Sequence, residues 1–296
     1  MKVILLGAAA GGGLPQWNCG CANCEAARSG RLPPLTQSSL AVTAGGGDWA
    51  LINASPDIGA QLLATPALHP TGPRRSPLRA VLLTNGDIDH VGGLLTLREK
   101  QPFDLRMTGE IADVLAANPI FGALDPALVR RLPVALDAPF PLLPGLTATL
   151  FAAPGKVPLY LEGETVETAA EGEQTVGVVL DDGASRTVIL PGCARMTPAL
   201  AQRIEGADLL FFDGTLWADD EMIRLGLGAK TGARMGHMSM SGPDGSIAAL
   251  TGVRIGTRVF THINNSNPAL VPDGPERAEA EAAGWIVGRD GMEFET

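Results

Sequence analysis

Three cysteines fall within six residues, Cys19, Cys21 and Cys24, just after the glycine-rich stretch Gly7–Gly13. Thiols this close pair poorly with one another as disulfides, but all three sulfurs can turn toward one ion. Thiolate sulfur suits zinc, and tetrahedral structural zinc sites commonly join three cysteines to one histidine. The competing reading is three small buried residues in a tight loop. The remaining cysteine, Cys193, lies far along the chain.

A second constellation follows the apolar run Leu78–Leu83, in Thr84-Asn85-Gly86-Asp87-Ile88-Asp89-His90-Val91-Gly92-Gly93. Strand ends in α/β proteins present side chains to the crevice where ligands bind. Asp87, Asp89 and His90 crowd ligand-type groups into four positions there, and imidazole with carboxylate suits zinc, iron or manganese. Alternatively, Asp89 caps the helix that follows and His90 lies on the surface. Arg258–Thr261 runs into His262-Ile263-Asn264-Asn265, a second histidine at a strand end, and the apolar strand Asp208–Phe212 closes on Asp213-Gly214-Thr215. Of the other histidines, His69 sits in a proline-rich loop and reads as solvated. His237, in Met235-Gly236-His237-Met238-Ser239-Met240, is the economical fourth ligand for the cysteines. Its rival roles are proton transfer in the crevice and burial among methionines.

The elements that must position these groups alternate along the chain. Lys2–Leu6, Ser39–Thr43, Trp49–Asn53, Leu78–Leu83, Leu105–Met107, Thr147–Ala152, Val176–Leu180, Thr187–Leu190, Asp208–Phe212, Arg258–Thr261 and Trp285–Val287 read as strands. Gly45-Gly46-Gly47-Asp48 and Asp181-Asp182-Gly183 read as hairpin turns. Ser55-Pro56-Asp57 opens a helix continued by Ala60–Ala64, and Asp89–Lys100, Thr197–Ile204, Ser246–Leu250 and Glu276–Ala283 complete the helical set. Glu162–Glu173 reads as an exposed acidic loop. Early hairpins mixed with later strand–helix units predict an α/β fold of two mixed sheets with helices outside them, in one domain over 1–296.

A net charge of −10 argues against a nucleic-acid surface, where counterion release rewards dense lysine and arginine. Four cysteines in 296 residues do not make a secreted disulfide scaffold. The apolar N-terminal run is too short for a signal-peptide core, and no stretch reaches the ~20 apolar residues that span a bilayer. A cytoplasmic protein without membrane insertion is expected.

Asp87-Ile88-Asp89-His90-Val91-Gly92-Gly93, with the late Thr261-His262, resembles the His-x-His-x-Asp-His motif of the metallo-β-lactamase superfamily. The resemblance implies a four-layer αβ/βα sandwich with the metal at the edge of the two sheets. Asn85 and Asp87 stand where that motif has its first two histidines, so one half of the usual two-metal site lacks its ligands and Asp89, His90 and His262 remain. Gly11–Cys24, Asn53–Ile58, Leu190–Ala194, Gly236–Met240 and Thr261–Asn265 are further similar to the branch of that superfamily devoted to biosynthesis of pyrroloquinoline quinone (PQQ).

That resemblance implies a mononuclear site in which Asp89, His90 and His262 hold Fe(II), with zinc, manganese or copper as other occupants. Asp213 would be a fourth ligand or a base, and Cys193 falls near the superfamily's bridging position. The implied reaction adds oxygen from O₂ to the tyrosine ring of a Glu-Tyr fragment of a precursor peptide, with Ser55, Asn264 and Asn265 orienting carboxylates. A carrier of the quinone or its precursor toward the periplasm, and a phosphodiesterase or lactonase, are the alternative functions. A related phosphodiesterase branch completes its own Cys-x-Cys-x-x-Cys element with a histidine, which supports His237 at a structural zinc formed with Cys19, Cys21 and Cys24. Homodimerisation is left open.

Overall fold

The structure, a computed structural model, describes residues 1–296. Fourteen strands form two seven-stranded sheets. They are β1 (Lys2–Gly7), β2 (Ser39–Thr43), β3 (Trp49–Ile52), β4 (Leu78–Leu82), β5 (Phe103–Met107), β6 (Val129–Pro133), β7 (Phe140–Leu143), β8 (Leu146–Ala152), β9 (Val176–Asp181), β10 (Arg186–Leu190), β11 (Ala207–Asp213), β12 (Ile255–Thr261), β13 (Trp285–Val287) and β14 (Met292–Glu295). The first sheet runs β14-β1-β2-β3-β4-β5-β6, antiparallel up to β3 and parallel beyond it. The second runs β13-β12-β11-β10-β9-β8-β7, parallel from β13 to β10 and antiparallel beyond.

Both faces of the first sheet are covered, and the sequence shows why. Val3, Leu5, Leu40, Val42, Ala50, Ile52, Ala80 and Leu82 join the 48-residue core shared with the second sheet. Their neighbours Ile4, Leu6, Ala41, Leu51, Val81 and Leu83 join a separate 21-residue core beneath the outer helices. Alternate side chains leave opposite faces of a strand, so a continuous apolar run fills two cores at once. Helix Gly109–Ala117 contributes Ile111 and Leu115, one turn apart, to the outer core. The result is two mixed sheets flanked by helices, as expected.

Some local expectations change. Asp89–Lys100 is a short α-helix, Ile88–Val91, that tightens into a 3₁₀ segment over Gly92–Arg98. Gly93 cannot carry a side chain, since a Cβ would fall 2.1 Å from the Ser55 carbonyl oxygen. The helix after Asn53 starts at Ile58, and Ser55 is fully buried rather than capping it. No helix is long and apolar enough to cross a membrane.

Candidate metal centre

The parallel register of the second sheet sets the first half of the site. Asp213 pairs with Thr261 across β11 and β12, so the last residue of one strand stands beside His262, the first after the other. Gly214 permits that approach, because a Cβ there would meet Phe260 Cβ at 2.9 Å. The other half comes from the first sheet, where β4 delivers the 84–90 loop. Asn53 anchors that loop, its Oδ1 accepting from the Thr84 N–H at 2.9 Å. His262 and Asn53 both occupy the left-handed region, φ 55° and 62°, a conformation that non-glycine residues hold mainly where surrounding contacts over-determine it.

Asp89, His90 and His262 converge, with one ligand atom from each within 4.8 Å of the others. Asp89 Oδ2 lies 2.9 Å from His262 Nε2, and Oδ1 lies 3.7 Å from His90 Nδ1. The two imidazoles stack at 5.2 Å. His90 is 1% exposed, and neither of its ring nitrogens has a hydrogen-bond partner. Buried imidazole nitrogens are ordinarily satisfied, so this orphaned ring, facing a carboxylate and a second imidazole, fits a metal ion. Asp89 does not cap the helix; Asp87 occupies that position and makes no side-chain cap bond.

The electrostatics agree. Burial would raise the Asp89 carboxyl, but His90 and His262 outweigh it and hold it below the usual carboxylate range. Burial pushes the His90 imidazole down, toward the neutral form that ligates metals. His262 is held above its ordinary value because the Asp89 hydrogen bond and charge overcome its own burial.

A residue that sequence reasoning missed orients His262. Thr215 Oγ1 lies 2.8 Å from His262 Nδ1 and donates to Asp213 Oδ1 at 2.7 Å. With its proton given to the carboxylate, the hydroxyl accepts from Nδ1–H; Nε2 is then the nitrogen that faces Asp89, donating to it in the doubly protonated ring and offering its lone pair when a metal lies between them. The signal was a hydroxyl two residues after a strand-ending aspartate.

Asp213 is fully buried and its acceptors are used. Besides Thr215 Oγ1, Oδ1 accepts the Thr215 N–H at 3.0 Å; Oδ2 takes the Cys193 N–H at 2.9 Å and faces His237 Nδ1 at 2.7 Å. Burial raises this carboxyl, yet His237 beside it brings it below its ordinary value. With His237 and His262 it also forms a second candidate ligand group, one ligand atom from each within 4.8 Å of the others, while its hydrogen bonds hold Thr215, Cys193 and His237 in place. Cys193 contributes its backbone N–H; its thiol donates to the Arg195 carbonyl at 3.2 Å, and burial pushes it far up.

His237 is not with the cysteines. It stacks on His262 at 5.2 Å, and its Nδ1 is engaged by Asp213, so the expectation of a fourth zinc ligand there is corrected. Cys19, Cys21 and Cys24 do form a ligand group of their own. The residue facing them is Asn265, whose side-chain amide nitrogen lies 3.2, 3.5 and 3.3 Å from the three sulfurs. Asn23 donates to the carbonyls of Asn265 and Asn267 at 3.0 and 2.9 Å, tying the cysteine loop to the segment after His262. Helix Ala22–Arg28 carries Cys24, and burial pushes its thiol up to about 11.

The expected substrate-orienting donors lie elsewhere. Ser55 is buried and donates to Gln61 at 3.1 Å. Asn265 faces the cysteines, and Asn264 turns to Met222 and Ser266. Asn85 and Asp87 brace the loop, Asn85 Oδ1 accepting the Asp87 N–H and Asp87 Oδ1 the Leu159 N–H, and the Asp87 charge still acts on His90 and His262. A cleft of about 720 Å³ opens beside His237, walled by Arg195, Ala218, Asp219, Met238 and Gly242 among others.

Paired mixed sheets with a histidine–aspartate cluster at their edge define a class. A family model described as a beta-lactamase superfamily domain matches residues 48–263, and the chain belongs to that superfamily. It is 58% identical to the coenzyme PQQ synthesis protein B of Methylobacterium radiotolerans over 295 residues, covering 99% of each chain, and 57% identical to that of Ruegeria pomeroyi over 294 residues, with the same coverage. The crystal structure of Zn²⁺-bound PqqB from Methylobacterium extorquens matches all of both chains with a TM-score of 0.99 and 53% identity. Within the superfamily, the chain is a member of the coenzyme PQQ synthesis protein B family.

Proposed function

We propose that the protein acts in PQQ biosynthesis as a mononuclear, Fe(II)- and O₂-dependent hydroxylase of the tyrosine ring in a Glu-Tyr fragment of a precursor peptide. The observation that carries this reading is His90, buried with both ring nitrogens unpartnered beside Asp89 and His262 Nε2. Two imidazoles and one carboxylate on one face are the donor set that leaves open positions on non-haem iron. Asn85 and Asp87 stand where the superfamily motif has its first two histidines, which supports one metal rather than the hydrolytic pair.

Iron held by these three residues supplies the one-electron chemistry with O₂ that side chains lack. The chain's own residues do the rest. Thr215 and Asp213 fix the His262 tautomer. Asp213 fixes His237 through Nδ1, and His237 Nε2, which makes no hydrogen bond, is available to take or give a proton toward the cleft. Cys19, Cys21 and Cys24 would hold a structural zinc, for which Asn265 offers an amide oxygen as the fourth donor once its side chain turns over.

The test is metal analysis of protein purified without oxygen, paired with O₂ consumption on Glu-Tyr. Turnover by iron-loaded protein that vanishes in Asp89→Ala is the expected result. No O₂ uptake at confirmed iron occupancy removes the hydroxylase reading, and tight quinone binding without turnover would make the protein a carrier.

A further inference from the structure

Outside the metal centre, three cations share one carboxylate. Glu162 Oε1 lies 3.0 Å from Lys156 Nζ, and Oε2 lies 3.3 Å from Lys230 Nζ and 3.0 Å from Arg234 Nη2. This is a local excess of positive charge in a chain whose net charge is −10. The Glu162 side chain is only 8% exposed, so the anion sits inside the cationic cup rather than on it. Arg234 Nη1 is buried and has no partner, a donor the internal carboxylate does not reach.

The cup lies next to the site. The Lys156 stem packs on Gly236, where a Cβ would meet its Cγ at 3.2 Å, and Gly236 precedes His237. Glu162 ends a strap that crosses from one side of the site to the other. The Leu159 N–H donates to Asp87 Oδ1 at 3.2 Å and the Tyr160 hydroxyl to the Gly86 carbonyl at 2.7 Å, within three residues of Asp89. From there the strap reaches Lys230 and Arg234, on the segment that leads to His237.

We propose that Lys156, Lys230 and Arg234 form a subsite for a carboxylate of a polycarboxylated ligand, and that Glu162 fills it in the free protein as an internal stand-in. Converging cations with no anion between them repel and resist desolvation; the chain's own carboxylate keeps the cup assembled until a ligand carboxylate replaces it. Displacement frees the strap at its Glu162 end and leaves the ligand held by Lys156, whose stem packs on Gly236 beside His237. Only the identity of the ligand rests on the PQQ reading, since a Glu-Tyr fragment carries both a side-chain and a terminal carboxylate.

Trimesate (benzene-1,3,5-tricarboxylate), a tricarboxylate with no phenol, tests the cup by calorimetry on the metal-loaded full chain. Glu162→Gln removes the internal competitor and is expected to tighten trimesate binding about tenfold, as when the competent fraction rises by that factor. Adding Arg234→Met to Glu162→Gln is expected to return that gain. Tyr160→Phe, which loosens the strap without touching the cup, is expected to tighten binding too and serves if Glu162→Gln folds poorly. Trimesate affinity unchanged or weakened in both Glu162→Gln and Tyr160→Phe, or indifferent to Arg234→Met, overturns the proposal. Glu-Tyr in parallel separates the two readings: a response with trimesate alone keeps the cup and removes the dipeptide as its ligand.

Discussion

At the scale of single residues, the groups around His90 are tied to one another while His90 itself is left without a partner. Thr215 is the clearest case, since one hydroxyl joins Asp213 to His262 and so decides which imidazole nitrogen is left for a metal. Thr215→Val should weaken metal retention at Asp89, His90 and His262 by about 10–100-fold, the usual effect of losing such a partner. Thr215→Ser should restore it. Chelator competition measures both, and equal affinity in Thr215→Val would show that Thr215 does not set the tautomer. The cysteine group calls for a different pair of variants. Asn265→Ala should speed zinc release from the Cys19, Cys21 and Cys24 group, whereas His237→Ala should leave that release unchanged. The opposite pattern would return His237 to the knot. Cys21→Ser should lose one zinc per chain and much of the stability, because a structural metal contributes folding free energy.

At the scale of elements, the segment Lys156–Glu162 is held at its Glu162 end by charge, through Lys230 and Arg234. Hydrogen bonding from Arg234, with Lys156 and Lys230 behind it, lowers the Glu162 carboxyl to about 2 from an ordinary 4.5. A carboxylate lowered by folding stabilises the native state above its unfolded value, and that contribution disappears as pH falls through the folded value. Urea midpoints of the wild type and Glu162→Gln should therefore differ above about pH 4.5 and converge toward pH 2. The gap should shrink in salt, because Lys230 and Arg234 are about two-fifths exposed. Curves that run parallel through this range would show that the clamp does not hold the segment. The acidic composition of 162–173 correctly suggests a loop, but not that its first carboxylate is buried by cations 68 and 72 residues away.

At the scale of the molecule, the site depends on how closely the two sheets meet. Gly288 follows β13, where a Cβ would fall 2.5 Å from the Phe260 carbonyl oxygen and 2.8 Å from Leu5 Cδ2, one neighbour from each sheet. Gly288→Ala should cost about 1–3 kcal/mol, the range for overpacking a filled core, read as a lower urea midpoint. It should also loosen active-site metal, since Phe260 lies two residues before His262. Unchanged stability would mean that the sheets have room to separate there.

Much was legible beforehand because it is local. Apolar runs buried on both faces mark the strands, glycines mark the turns, and histidine or aspartate at the ends of such runs marks the crevice. Asp89, His90 and His262 could be picked out for that reason, and three cysteines in six residues announce a metal without any fold. Pairing across long separations is another matter. Whether His237 or Asn265 faces the cysteines depends on which loop after a parallel strand turns to which side, and both lie more than 200 residues from Cys19. Thr215, Ser55 and Glu162 are ordinary side chains in ordinary places until the register of β11 with β12 and the crossing of the strap give them partners. Residue types and their spacing determined the kind of chemistry the chain can support; only the meeting of the two sheets decided which residues share a site, because a side chain acts on what lies within a few ångströms of it.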